Sequence, residues 1–318
     1  MLRDPARPLF HWNVDCTIGR ELVFALYTLP CRYGRCAFCS LPSMSEGGER
    51  VTARDIERQV DFVLAETPAA ELQRVAKVSI YTAASTLDQV CLPTRSLMYL
   101  LLKLSDLPLL RRVSLETRPE YVEDWELKAI GAVLGEGVEL EVGIGYETHD
   151  EHLRNKVLGK GLSVKTLHRL MVKLQANKAS LKAYLMLKPH HSLSEEQGIS
   201  EAIDGLDELG GLGAEYEVPV SIHLNPTYIA EGCALTSELL ANAYQPPELT
   251  SIIDVVAAAA ARSLPIYVGL DDEGMAVSGG TFQDTGVDRV RCVAALTAYN
   301  RHQDLQRLFD ESGYTSVR

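Results

Sequence analysis

The residues best suited to chemistry come early in the chain. Cys31, Cys36 and Cys39 lie in the run LPCRYGRCAFC (29–39), directly after the apolar stretch LVFALYTLP (22–30). Three thiols sit within nine residues at a C-x4-C-x2-C spacing. A closed structural zinc site needs four ligands. A 4Fe-4S cluster held by three cysteines keeps one iron open to a small molecule, and that is the chemistry this spacing predicts. Two competing readings are a partial zinc site, for which Cys16 is the nearest further thiol, and a dithiol redox pair of Cys36 and Cys39.

Such a loop needs a scaffold, and the hydrophobic patterning supplies one. Strand-like runs at 23–30, 75–83, 111–117, 138–147, 180–188 and 218–226 alternate with helix-like runs at 51–66, 94–106, 122–135, 164–177 and 195–210. In the first helical run Val51, Ile56, Val60, Phe62 and Val63 fall on one side. Strict alternation argues for a parallel sheet with helices outside it. Six repeats that curl without closing give an α/β fold, a partial (β/α)6 barrel. Parallel barrels gather their chemistry at the C-terminal ends of the strands, and the cysteine loop follows the first strand at that end. After Pro226 the pattern loosens into a helix (248–263), a short strand (266–270), a glycine-bearing loop (274–284) and a last helix (286–310). The expected division is an N-terminal segment (1–22), the barrel (23–230) and a C-terminal α/β extension packed on it (231–318).

The barrel mouth also collects candidate substrate groups. Tyr184 and Lys188 lie four apart on the fifth strand and are expected on one face. His190 and His191 follow at its end, and His223 and Asn225 alternate on the sixth strand.

Bulk properties narrow the function classes. The formal net charge is −12. A protein that binds nucleic acid unaided presents a basic face, because phosphate neutralisation dominates that affinity. The acidic balance favours a small-molecule substrate over tRNA. The start MLRDPARPLF lacks an apolar segment, and no run reaches eighteen apolar residues. The expectation is a cytoplasmic protein without membrane contact, whose clustered thiols are ligands rather than bridges.

The cysteine loop, with Phe38 before the last thiol, resembles that of the radical S-adenosylmethionine (SAM) superfamily. Further segments resemble the branch containing the radical SAM subunit of archaeosine synthase and the elongator catalytic subunit. They are Ala84-Ser85-Thr86-Leu87-Asp88, SLETRPEYV (114–122), EVGIGYETHDEHLRNKVLGKGLS (141–163), LKAYLMLKP (181–189) and the run Tyr244 to Pro247. The resemblance implies a radical SAM barrel in which a 4Fe-4S cluster on Cys31, Cys36 and Cys39 binds SAM. An electron, from a flavodoxin- or ferredoxin-type donor, then cleaves SAM to a 5′-deoxyadenosyl radical that abstracts hydrogen from substrate. It further implies SAM contacts from Phe38, Ser85, Glu116, Arg118, Glu147 and Lys160, with Lys160 paired to the SAM carboxylate. Tyr184, Lys188, His223 and Asn225 are then the residues assigned to substrate chemistry. The favoured reading is biosynthetic chemistry, of lyase, transferase or rearrangement type, on a small molecule. The alternatives are an archaeosine-type C–N lyase acting on a tRNA base, and a non-catalytic metal-binding scaffold.

Overall fold

The computed structural model describes residues 3–45, 50–272 and 274–316. Eight strands form one sheet in chain order: β1 (Phe10–Cys16), β2 (Gly19–Leu26), β3 (Val75–Thr82), β4 (Arg112–Glu116), β5 (Glu139–Glu147), β6 (Ser180–Leu187), β7 (Val220–Pro226) and β8 (Ile266–Val268). The α-helices longer than four residues are, among the described residues, α1 (Ala53–Glu66), α2 (Thr94–Leu104), α3 (Asp124–Leu134), α4 (Val164–Ala176), α5 (Glu195–Tyr216), α6 (Thr236–Ala241), α7 (Leu249–Ala261), α8 (Arg289–His302) and α9 (Leu305–Ser312). The pairs β2–β3, β3–β4, β4–β5 and β7–β8 are parallel. The β/α alternation from β2 to β7 is that of a partial barrel.

Local chemistry explains where elements begin and end. α1 starts at a reciprocal capping box between Thr52 and Asp55, and α5 at one between Ser194 and Gln197. α5 runs six residues past the expected end at 210. Its glycines permit close packing rather than stopping the helix. A Cβ on Gly205 would sit 3.1 Å from Leu185 Cδ1, and one on Gly213 would sit 2.8 Å from Val220 Cγ2. The expected last helix is two helices, because Gln303 adopts φ 53° and breaks the run between α8 and α9.

The N-terminal segment holds a strand that the sequence reading lacks. β1 pairs antiparallel with β2, with Cys16 opposite Gly19 across a two-residue turn. Gly19 sits at φ +131°, where a side chain is strained. β1 alternates half-exposed Phe10 and Trp12 with His11 and Asn13, whereas β2 is buried from Leu22 onward. The near-continuous apolar run of β2 is what a strand covered on both faces requires.

The chain divides into two compact units. One comprises Met1–Gly34, Leu41–Ile144 and Lys165–Leu181; the other comprises Arg35–Ser40, Gly145–Val164 and Lys182–Arg318. The first unit contains a buried charge cluster. Lys77 Nζ on β3 lies 3.5 Å from Glu21 Oε1 on β2 and 3.6 Å from Glu141 Oε1 on β5. Burial alone lowers the Lys77 pKa, but the two carboxylates outweigh it and the net shift is upward. Removing the lysine takes the shared cation from both carboxylates and leaves Glu21 with Ser79 and Glu141 with Arg112 Nη1 at 3.5 Å. Lys77→Met is therefore expected to cost about 3–5 kcal/mol in urea unfolding.

Candidate functional site

The cysteine loop begins in the first unit, where β2 ends at Leu26 and the strand ladder stops. A side chain then takes over the ladder's role. Gln59 on α1 is fully buried. Its carboxamide accepts from Tyr27 N (2.9 Å) and donates to the carbonyls of Tyr27 (2.8 Å) and Pro5 (2.8 Å). Both N–H donors and the oxygen of that amide thus have partners, as a buried amide requires.

Past Cys31, two aromatic–cation contacts and a forked ion pair hold the chain. Arg32 places two nitrogens on the two oxygens of Asp88, each at 2.7 Å. Asp88 is buried, and also accepts from Val90 N and contacts the Cys91 thiol. Burial raises the Asp88 pKa, but the Arg32 bond and its other donors bring it below the ordinary carboxylate range. The Arg32 guanidinium also lies 5.5 Å from the centre of the Tyr121 ring, and that of Arg118 lies 3.6 Å from the centre of Tyr33. Gly34 turns the chain at φ +54°.

Ser85, Glu116 and Arg118 come together at the ends of β3 and β4. Arg118 N donates to Ser85 Oγ at 3.2 Å, and Thr86 donates from both N and Oγ to the Glu116 carbonyl. The Arg118 side chain lies against Tyr33 and bonds Glu120. Two motifs legible in the sequence, ASTLD and ETRPE, thus anchor the cysteine loop. Arg32, Tyr33, Gln59, Asp88 and Tyr121 are missing from the sequence-based site, since partners tens of residues apart leave no local signal. Cys91 is buried, and desolvation followed by Asp88 pushes its thiol up to about 12.

In the second unit, Arg35–Ser40 is held by backbone. Ala37 N donates to the Leu158 carbonyl at 2.9 Å, and the Ala37 carbonyl accepts from Leu235 N at 2.8 Å. Phe38 packs on a buried cluster that includes Leu158, Met186, Ile229, Leu235 and Leu239. A Cβ on Gly159 would meet the Arg35 carbonyl oxygen at 2.5 Å, and Gly159 sits at φ +68°. Cys39 N closes a tight turn onto the Cys36 carbonyl. Cys31, Cys36 and Cys39 are all half-buried, and none of the seven cysteines forms a disulfide.

The same unit pairs two of the expected cofactor residues with each other. Lys160 Nζ donates to Glu147 Oε1 at 2.7 Å, and both residues are buried. Glu147 leaves β5 at φ 71°. A Cβ on Gly145 would fall 2.0 Å from Glu147 Oε1 and 2.1 Å from Lys160 Nζ, so only glycine leaves room for the pair. Between the partners, residues 153–157 form a wide helical turn closed by Leu158 N on the Leu153 carbonyl. Such turns recur at functional sites. Arg154 is almost wholly buried inside it, donating to the carbonyls of Thr148 (2.7 Å) and Leu162 (3.2 Å).

Three of the four substrate candidates come together. The Tyr184 and His223 rings lie 5.1 Å apart. Gly269, just past β8, has its open side towards His223 and Asn225: a Cβ there would lie 2.7 Å from Asn225 Oδ1 and 3.1 Å from His223 Nε2. Buried Lys182, absent from the sequence-based list, places its ammonium 4.9 Å from the centre of the Tyr184 ring. Lys188 departs from the expectation. β6 ends at Leu187, and φ 54° at Lys188 turns the chain, so strand parity no longer ties it to the Tyr184 face. Its Nζ bonds Glu195 at 2.7 Å and its carbonyl accepts from Tyr244 Oη at 2.6 Å.

Two substitutions test this architecture. Gln59→Leu removes the partners of the Tyr27 backbone and is expected to cost about 1–3 kcal/mol in chemical denaturation. Gly145→Ala forces the Glu147–Lys160 pair apart at a similar cost of about 1–3 kcal/mol. Gly131→Ala, in α3 with nothing within 4 Å of its added Cβ, is the control. It should stabilise by about 0.5–1 kcal/mol.

No family model matches the chain. An uncharacterized protein of Methanocaldococcus jannaschii is 28% identical over 265 residues, which are 80% of this chain and 70% of that protein. Archaeosine synthase subunit beta of Methanosarcina acetivorans is 27% identical over 74% of this chain and 66% of its own length. Among solved structures, Streptococcus suis SuiB bound to S-adenosylmethionine matches at TM-score 0.52 and 13% identity, over 78% of this chain and 50% of SuiB. Methanocaldococcus infernus Elp3 with an N-terminal deletion matches at TM-score 0.52 and 14% identity, over 86% of this chain and 62% of that one. The chain thus spans about two thirds of the curated relatives and half to three fifths of the solved ones. Among the described residues, no helix is long and apolar enough to cross a membrane. The α/β sheet and these likenesses together identify the fold as that of the radical SAM enzymes, and the chain resembles archaeosine synthase subunit beta in sequence.

Proposed function

We propose that this chain is a radical SAM enzyme in which Cys31, Cys36 and Cys39 hold a 4Fe-4S cluster with one iron left for SAM. The observation that carries the reading is the position of three half-buried thiols, outside any disulfide, on the loop after β2 of this fold. Three thiolates suit such a cluster and fall one short of a closed zinc site. When bound, cluster and SAM supply a carbon-centred radical that takes a hydrogen atom from substrate. An external one-electron donor of flavodoxin or ferredoxin type completes the system.

The chain's own residues supply position and charge. In one unit, Arg32–Asp88 and Tyr33–Arg118 fix the first half of the cysteine loop; Ser85, Glu116 and Arg118 are its polar groups for SAM. In the other, Phe38 seats the second half, and Glu147 and Lys160 offer a carboxylate and an ammonium that complement the amino-acid part of SAM. Tyr184, His223 and Asn225 are the groups for substrate. Lys188 secures the turn beside them through Glu195.

Two substrate classes carry separate support. The net charge of −12 favours a free small molecule. The similarity to archaeosine synthase subunit beta over three quarters of the chain favours a modified tRNA base. One experiment addresses both levels. After anaerobic reconstitution with iron and sulfide, the expected result is about four irons per chain. Dithionite and SAM should then yield 5′-deoxyadenosine, abolished in Cys36→Ala. A colourless, zinc-holding protein would refute the radical reading and favour a scaffold. Bulk tRNA that is retained at low salt and stimulates 5′-deoxyadenosine formation would establish the RNA class; no retention would leave the small molecule.

A further inference from the structure

At the end of β6 a second group of ligating side chains gathers, none of them from the cysteine loop. His190 Nε2 and His191 Nε2 both lie 3.0 Å from a single oxygen, Glu238 Oε1 on α6. The two imidazole rings are 4.0 Å apart, and the three ligand atoms fall within 4.8 Å of one another. We propose that His190, His191 and Glu238 bind a divalent transition-metal ion, with zinc the best match to the donor set.

Adjacent residues in a turn ordinarily send their side chains apart, so two neighbouring imidazoles converging on one oxygen need a reason. A hydrogen bond from each ring to the same oxygen is one occupant of that geometry. A metal ion is the other, because tetrahedral zinc with ligands near 2.0–2.1 Å holds neighbouring donor atoms about 3.3–3.4 Å apart. The two nitrogen–oxygen separations, each 3.0 Å, need open by only a few tenths of an ångström to admit it.

The surroundings fit a ligating histidine. His190 is buried, whereas Glu238 is half exposed and leaves an entry route. Ser192 N donates to His190 Nδ1 at 3.2 Å, and Ser192 Oγ lies 2.9 Å from the same nitrogen. Ser192 thereby fixes the ring with Nε2 turned to Glu238, and an outer partner of this kind orients a ligating imidazole. Two imidazoles and one carboxylate leave the fourth position of the ion open, which suits an oxygen donor such as water or an anionic group. Binding ties the turn after β6 to α6 within one unit.

Zinc titration of the full chain by isothermal calorimetry tests the site. It is run in the native sequence and in a Cys31→Ala, Cys36→Ala, Cys39→Ala background that removes competing thiolates. The expected result is one zinc equivalent that persists in the thiol-depleted background. In either background, His191→Ala and Glu238→Gln lose that equivalent while far-ultraviolet circular dichroism stays unchanged. Both positions are partly exposed, so these variants keep the fold. Absence of saturable zinc binding in the thiol-depleted chain, or a His191→Ala variant that binds as the parent does, would overturn the assignment. Cluster assembly and SAM cleavage are read separately, so failure here leaves the radical reading standing.

Discussion

A loop that carries three thiols has no ladder to satisfy its own backbone, and every buried peptide group must still find a partner. That requirement shapes much of this protein. In the first unit the Gln59 carboxamide serves the Tyr27 peptide groups, while the Asp88 fork on the Arg32 side chain and the Arg118 guanidinium over the Tyr33 ring hold the loop's side chains. In the second the partners are backbone groups of Leu158 and Leu235, with Phe38 packed beside them. A ligand loop is only as well placed as its supporting shell, and here that shell is larger than the loop.

The sequence discloses the fold through apolar runs whose covered faces leave no ambiguity. β3, β5 and β6 read as strands because nearly every residue in them is buried. β1 escapes notice because Phe10 and Trp12 stay half exposed and its polar partners dilute the alternation. The glycines of α5 read as a stop, yet they mark where the helix backbone comes closest to Leu185 and Val220. Such errors arise where packing distance overrides local preference.

The same division governs the site. Cysteine spacing is a local pattern and survives translation into three dimensions. The partners of Arg32 and Lys160 lie 56 and 13 residues away, and nothing in either run announces them. Strand parity brought Tyr184, His223 and Asn225 to one place but failed for Lys188, because parity ends where φ turns positive. Gly145 and Gly159 carry much of the hidden information. Each is defined by what a methyl group would strike, a property that exists only once the chain has folded.

The interleaving of the two compact units has a consequence for how the chain is made. It passes from one unit to the other five times, and the last residue of the first unit is Leu181. A ribosome therefore delivers every segment of the first unit before most of the second exists, while Arg35–Ser40 and Gly145–Val164 wait for the partners that follow. Cys36 and Cys39 emerge early but belong to the unit finished last. No single scission yields two complete halves, so expression as separate fragments or a simple domain swap between relatives would divide at least one unit against itself. Long-range closure of this kind slows folding, and it sets the order of events: scaffold first, completed thiol loop afterwards.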